Sequence, residues 1–327
     1  MRAVIIDESA AGRPLVYCED VPEPTPGPAD LLIAVRAAAL NRADLRRAAT
    51  HFSSSEHAKG IAIAGLELAG EVVATGSEVK GFSRGNRVMA MSGGAYAERA
   101  IVDHRLAIPV PASFDWKQAA ATPITFVTAY DALLTAAQFK AGESVLIQGA
   151  STAVGIAAIQ IARWKGAIRI FGTASGPKLE RIRDLGCTIP IDYKTENVAD
   201  IVMKHTDKHG VEVVLDNVGD KAVQANIDAT AIRARIVCVG RVAGVEATIN
   251  VDEFSRKRIH MVGVTFRTRS MDERIAVIRG FCADVLPEFE RGGIGPVIDS
   301  CYALKEADRA QEHMRSNRHF GKIVLIP

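Results

Sequence analysis

A chain of 327 residues exceeds the roughly 250 to 300 residues at which one hydrophobic core stops growing, so two domains are expected. Hydrophobic residues at 48% and charged residues at 24% match an ordinary globular protein and exclude a chain dominated by disorder. The 40 basic and 38 acidic residues leave a formal charge of +2 with no basic stripe, so nucleic acid is not an expected partner.

The N-terminus, MRAVIIDESAAGRPLVY, has acidic and polar residues directly after a short apolar run. It therefore lacks a signal-peptide core, and no later stretch reaches transmembrane length, so the expectation is a cytoplasmic protein without a membrane partner. The five cysteines, Cys18, Cys187, Cys238, Cys282 and Cys301, form no CxxC pair and fit a reducing compartment.

From Met1 to about Pro111, Gly and Pro break the chain into short strands: Ala3 to Ile6, Leu31 to Ala37, Leu68 to Ala74, Arg87 to Ala90 and Ala95 to Val102. This predicts a β-rich lobe, with the Pro22 to Pro28 segment as a stiff extended connector. Trp116 to Ala121 and Ile124 to Ala137 read as helices. Six apolar runs follow at Ser144–Ile147, Ile168–Phe171, Ile189–Ile191, Val211–Leu215, Arg235–Val239 and Met261–Val264. Their spacing of roughly 20 to 25 residues leaves room for one crossover helix each, which predicts a doubly wound parallel sheet in an α/β protein. A helix over Met271 to Glu290, a strand near Val297 to Tyr302, a helix over Leu304 to Ser316 and a strand over Lys322 to Ile326 close the chain. The expected domains are 1–120, completed by 268–327, and 121–267 inserted between them.

The strongest local signal is the strand Ser144 to Ile147, the turn Gln148-Gly149-Ala150-Ser151-Thr152-Ala153-Val154-Gly155 and a helix to about Lys165. Free backbone N–H groups and the positive end of a helix dipole at such a turn suit a pyrophosphate. Thr152 stands where a full fingerprint has a third glycine; its hydroxyl can itself donate to phosphate, but the turn is less permissive than with glycine. Proteins that select NAD place an Asp or Glu at the end of the second strand, where this chain has Phe171-Gly172-Thr173-Ala174-Ser175. Ser175, Lys178, Tyr193 and Lys194 supply donors and positive charge for a 2′-phosphate instead, so NADPH is the expected cofactor. Taken alone, Lys178 reads as a solvated helix-face charge more often than as a ligand, and Asp216-Asn217-Val218-Gly219 reads as an ordinary turn.

Ala39-Leu40-Asn41-Arg42-Ala43-Asp44, Gly65-Leu66-Glu67-Leu68-Ala69-Gly70-Glu71-Val72, Gly94-Ala95-Tyr96-Ala97-Glu98, Val127-Thr128-Ala129-Tyr130 and Asn317-Arg318-His319-Phe320-Gly321-Lys322-Ile323-Val324-Leu325 complete the picture. In these segments the chain resembles the zinc-free quinone oxidoreductase branch of the medium-chain dehydrogenase/reductase family, and the likeness runs from the first strand to the last. The resemblance implies a GroES-like lobe, a Rossmann domain, NADPH in the cleft and a homodimer joined through the nucleotide domains. It places Asn41 and Asp44 at the nicotinamide and substrate end and Thr128 at a helix start near the phosphates. Asn217, Val239, Gly240, Arg241, Val264, Phe266 and Arg267 fall at strand ends that hold cofactor, together with Ser151, Thr152, Ala153 and Val154. Read without the resemblance, Asn41 is a loop cap and Asp44 caps a following helix.

Positions matching the family's catalytic zinc ligands hold Asn41, Leu66 and Ile124, none of which replaces a thiolate or imidazole, so no metal is expected. Without a Lewis acid, hydride transfer is easiest to an acceptor that delocalises negative charge, a quinone or α,β-unsaturated carbonyl. The segment Ala48 to Phe52 lacks the tyrosine that several members carry there; either His51 takes over a polar role or the proton comes from water, and His51 is assigned no catalytic role. The alternatives are an enoyl-thioester or ketone reductase and, from another class, an NADPH-binding sensor or structural protein.

Overall fold

A computed structural model describes residues 1–7, 9, 14–46 and 61–327. In chain order its strands are β1 (Ala3–Ile6), β2 (Leu15–Cys18), β3 (Asp30–Ala39), β4 (Glu67–Thr75), β5 (Arg87–Met91), β6 (Arg99–Asp103), β7 (Ile108–Pro109), β8 (Ser144–Gln148), β9 (Arg169–Ala174), β10 (Ile189–Asp192), β11 (Val211–Asp216), β12 (Thr230–Cys238), β13 (His260–Gly263), β14 (Ile298–Ala303) and β15 (Lys322–Ile326). The α-helices are α1 (Trp116–Ala120), α2 (Pro123–Tyr130), α3 (Ala153–Trp164), α4 (Lys178–Asp184), α5 (Val198–His205), α6 (Ala222–Ala229), α7 (Val251–Lys257), α8 (Met271–Glu290) and α9 (Ala307–Arg315). Two compact units result: Met1–Ile124 with Phe266–Gly292 and Pro296–Pro327, and Thr125–Thr265 with Gly293–Gly295.

In the first unit the strands follow the order β14-β15-β3-β4-β5-β7, with β6 also paired to β3. The tail therefore adds to this sheet, Val324 facing Ala39 and Leu325 facing Ala38 across an antiparallel pair. Register shifts in β3 between Leu32 and Ile33 and between Val35 and Ala37 bend the strand. Leu31, Ile33, Leu68, Val72, Val88, Tyr96, Ile323 and Leu325 form its core. Each large apolar side chain buried this way contributes about 1.5–3 kcal/mol.

The second unit is a six-stranded sheet in the order β10-β9-β8-β11-β12-β13, with every pair parallel. That order is the doubly wound dinucleotide-binding one, and the chain reverses direction of build between β8 and β11. All five residues of β8 are buried because helices cover both faces of a parallel sheet. Among the described residues no helix is long and apolar enough to cross a membrane.

Several elements differ from expectation. The strand Leu15–Cys18 pairs with β1 although Leu15-Val16-Tyr17-Cys18 shows no clear alternation. The segment expected at Ala95 to Val102 is strand only over Arg99–Asp103; ahead of it Ala97 makes an isolated bridge to Ala3. The helix expected through Ala137 leaves α-geometry at Asp131, where a π-helical segment, Asp131–Ala136, takes over. β12 begins at Thr230, five residues ahead of the expected Arg235, and exposed Ile232 and Arg233 with its positive φ of 66° mark the irregular stretch that hid it.

Candidate functional site

The turn after β8 is shaped by two glycines. Gly149 adopts φ +66°, and a Cβ on Gly155 would lie 2.5 Å from the Gly149 carbonyl oxygen, so α3 starts pressed against the turn. Thr152 has φ −73° and ψ 158°, an extended conformation that needs no glycine, which explains the departure from the fingerprint. Its hydroxyl donates to the Gly149 carbonyl at 2.8 Å and accepts from the Gly155 N–H at 3.0 Å. Thr152 is thus the N-cap of α3, and its proton is committed to the turn; the expected phosphate donor is corrected on this point. The backbone N–H groups of Ser151, Ala153 and Val154 have no partner among the described residues, and all three residues are partly exposed. They are the orphan donors of a twelve-residue helix, oriented for an anion by its dipole.

A buried polar network underlies the turn. The Thr173 hydroxyl accepts from Gly149 N–H and donates to Gln148 Oε1, both at 2.9 Å. Gln148 Nε2 donates to Asn226 Oδ1 at 2.8 Å, and Asn226 Nδ2 to Asp216 Oδ2 at 3.0 Å. Asp216 Oδ1 accepts from the N–H groups of Val218 and Gly219. Burial raises the Asp216 carboxyl above its ordinary value, opposed by bonds from Gly219, Val218 and Asn226. The network spans β9, β8 and β11 and fixes the turns at their ends relative to one another. Sequence reasoning missed Gln148, Thr173 and Asn226 as members; their polarity at buried strand and helix positions was the available signal.

Asn217 is buried and donates from Nδ2 to the Gln148 carbonyl at 3.0 Å, so its side chain belongs to this scaffold. A Cβ on Gly240 would lie 2.2 Å from the Asn217 carbonyl oxygen, so Val239-Gly240-Arg241 passes directly over the turn after β11. Val264 is buried and donates its N–H to the Cys238 carbonyl, while Phe266 lies outside the second unit and Arg267 is exposed. Thr128 sits near the end of α2 and not at a helix start, which corrects that expectation. Ser175 directly follows β9, Lys178 opens α4, and Tyr193 follows β10, whose last residue Asp192 pairs with Ala174. Parallel pairing therefore brings all three to one edge of the sheet, with Tyr193 56% exposed.

In the first unit the structure brings Asn41 and Asp44 together with three residues not singled out by the sequence reading. Asn41 Nδ2 donates to Glu67 Oε1 at 2.9 Å and, more weakly, to the Ala39 carbonyl at 3.3 Å; its Oδ1 accepts from Lys322 Nζ at 2.9 Å. Lys322 is also ion-paired to Glu67 and bonded to the Leu40 carbonyl. Glu67 Oε2 accepts from the Ile124 N–H at 2.8 Å. Asp44 Oδ2 accepts from Asn41 N–H at 2.7 Å and from the Tyr96 hydroxyl at 2.8 Å. Burial pushes the Asp44 carboxyl up to about 6, and burial beside Asp44 raises the Tyr96 phenol well above 10.0. Segment Ala48 to Phe52, with His51, lies outside the described residues.

A parallel sheet in dinucleotide-binding order, with orphan N–H donors at the first strand-to-helix turn, defines a nucleotide-dependent α/β protein. The comparisons narrow that class. The alcohol dehydrogenase GroES-like domain matches residues 27–112 and the zinc-binding dehydrogenase domain residues 153–279. A quinone oxidoreductase of Pseudomonas aeruginosa is 32% identical over 330 residues, covering 98% of this chain and 99% of its own. The Spectinabilin polyketide synthase system protein NorB of Streptomyces orinoci is 32% identical over 315 residues, 95% of this chain but 14% of that protein. A mycobacterial protein solved in complex with NADPH superposes with a TM-score of 0.84 at 25% identity, covering 100% of both chains. The chain belongs to the quinone oxidoreductase branch of the medium-chain dehydrogenase/reductase family. Members of this family are oxidoreductases that bind a nicotinamide cofactor.

Proposed function

We propose that the protein is an NADPH-dependent, zinc-independent reductase that transfers hydride to a quinone or an α,β-unsaturated carbonyl. The observation that carries the cofactor choice is the end of β9. Ser175, Lys178 and Tyr193 gather where an NAD-selective protein needs a carboxylate on the ribose 2′-hydroxyl. Ser151, Ala153 and Val154 would hold the pyrophosphate through main-chain N–H groups, with Gly240, Arg241 and Asn217 shaping the neighbouring strand ends. When bound, NADPH supplies the hydride; the chain's own groups bind, orient and exclude water.

Zinc independence rests on the donor chemistry at the three positions matching zinc ligands. Leu66 and Ile124 offer no side-chain ligand, and the carboxamide of Asn41 is engaged by Glu67 and by the Lys322 ammonium, a cation that would repel a metal. Acceptors that delocalise charge need no Lewis acid, which favours conjugated carbonyls over simple ketones. Similarity to a polyketide synthase segment favours, as a second reading, an acyl-thioester form of the same activated alkene. A homodimer joined along β13 and a cytoplasmic setting complete the proposal.

The deciding experiment is anaerobic oxidation of NADPH, with NADH as control, against quinones, enones, enoyl thioesters and simple ketones. Turnover with NADPH and conjugated acceptors supports the proposal. Equal use of NADH overturns the 2′-phosphate argument, and tight NADPH binding with no turnover on any acceptor favours a cofactor-binding sensor.

A further inference from the structure

We propose that the buried Lys322–Glu67 pair is a positioning device for Asn41 and Asp44, locking the Asn41 carboxamide in one orientation and setting the charge that Asp44 carries. The proposal rests on the reductase reading only in assigning this cluster to the reacting end.

A side-chain ammonium and carboxylate at 4% and 0% exposure are costly to desolvate, and such a pair is weak evidence for stability as such. What this one does is specific. The Lys322 ammonium faces the oxygen of the Asn41 carboxamide and Glu67 faces its nitrogen. A flipped carboxamide would set N–H against ammonium and oxygen against carboxylate, so only one orientation satisfies both charges. Through Oε2 the same Glu67 holds the Ile124 N–H, and Leu66 is its chain neighbour. Two of the three positions matching the family's zinc ligands, Asn41 and Ile124, are therefore held by one ammonium–carboxylate pair, and the third, Leu66, precedes Glu67 in the chain.

The pair also acts on Asp44. Asp44 is bonded to the Tyr96 phenol ahead of β6 and to the N–H of Asn41, the residue whose carboxamide Glu67 on β4 and Lys322 on β15 grip, and the charges of that pair act on its carboxyl. Arg42, on the same 3-10 turn, bonds instead to Asn317, and no side chain of α9 is bonded to Asp44 among the described residues. Two carboxylates and one ammonium leave the cluster with one negative charge when Asp44 is ionised and none when it is protonated. Burial is the main reason the Asp44 carboxyl is raised; bonds from Asn41 and Tyr96 and the charge of Lys322 lower it, whereas Glu67 raises it. Lys322 and Glu67 thus act on Asp44 with opposite signs.

The test follows the side-chain carboxyl carbon of Asp44 by NMR against pH in the unliganded full-length protein, assigned with Asp44→Asn. Lys322→Met is expected to move the Asp44 midpoint up by about one unit and Glu67→Gln to move it down by a similar amount. Loss of packing alone would not give shifts of opposite sign. Lys322→Arg keeps the charge but not the compact ammonium, so it should leave the midpoint near wild type while lowering kcat several-fold with the NADPH KM within twofold. Midpoints that move the same way, or not at all, in folded variants overturn the proposal. If neither charge-removing variant folds, the wild type decides. The Lys322 Nζ and Asn41 Nδ2 nitrogen signals must titrate with the Asp44 midpoint, and pH-independent signals there overturn it equally. Failure of every acceptor in the turnover assay would remove the reductase reading and leave this coupling intact, so the two failures are distinguishable.

Discussion

Asp44 shows how one residue connects sequence, packing and pH response. Its folded-state carboxyl lies at about 6 against an ordinary 3.8, chiefly because the 3-10 turn Arg42–Arg46 buries it beside Tyr96. The folded protein therefore binds this proton more tightly than the unfolded chain. The stabilisation is fully present below pH 3.8 and is lost as pH rises through about 6. Its upper bound is about 3 kcal/mol, from about 1.4 kcal/mol per unit. Asp44→Asn keeps an acceptor for the Asn41 N–H and Tyr96 hydroxyl without the titration. Urea unfolding at pH 4.5 and pH 7.5 should show a wild-type-minus-variant stability difference that falls by one to a few kcal/mol with rising pH, roughly. A difference that is constant across this range would show that Asp44 is not perturbed. Ser175 makes a second single-residue case. Ser175→Asp puts a carboxylate where an NAD-selective protein has one, and should raise the NADH over NADPH preference in kcat/KM by at least about tenfold, equivalent to about 1.4 kcal/mol. An unchanged ratio would move the 2′-phosphate away from β9.

At the scale of an element, α3 carries the clearest expectation. Thr152 caps it, so Thr152→Ala should cost about 1 kcal/mol in unfolding free energy while Thr152→Ser stays near wild type. Because the hydroxyl proton is held by the Gly149 carbonyl, the NADPH Kd of a folded Thr152→Ala protein should change less than about tenfold in calorimetry. A larger loss would restore the hydroxyl as a phosphate donor. β13 carries another. Its four residues are exposed, including Met261 at 39% and Val262 at 37%, and among the described residues it ends the sheet with one side unpaired. If two copies join along this strand, replacing both Met261 and Val262 with Lys places like charges across a two-fold contact and should shift the mass in light scattering from dimer to monomer. A monomeric wild type, or an unaffected dimer, would remove the interface. The sequence made the second unit legible because six apolar runs at crossover spacing have few other solutions, and strand ends follow from strand order. The β-lobe was harder to read, because Leu15–Cys18 is too short to show a period, and even in the second unit the start of β12 was hidden by exposed Ile232 and Arg233 inside the strand. Asn41, Asp44 and the turn at Gly149 were visible as motif residues. Glu67 and Lys322 lie 255 positions apart, and no local pattern pairs a lysine of one strand with a glutamate of another.

The whole molecule is tested by asking where NADPH leaves its footprint. If the pyrophosphate takes the N–H groups of Ser151, Ala153 and Val154, these amides gain partners that the described residues do not provide. A ligand at a hundred times its Kd stabilises the bound state by about 2.7 kcal/mol, enough to slow exchange through any opening that breaks the site by about a hundredfold. Hydrogen–deuterium exchange on adding NADPH should therefore show protection concentrated at residues 149–156, 175–178, 217–219 and 239–241. Thermal unfolding should rise by several degrees in parallel, on the order of 2–4 °C per kcal/mol for a chain of this class. NADH at the same fractional saturation should protect the first, third and fourth segments equally and the second less, because only the second is assigned to the 2′-phosphate. Uniform protection by both cofactors would keep the site and remove the selectivity. Protection confined to residues outside these four segments would show that the orphan donors of α3 serve another anion, and the hydride-transfer proposal would lose its foundation in this sheet.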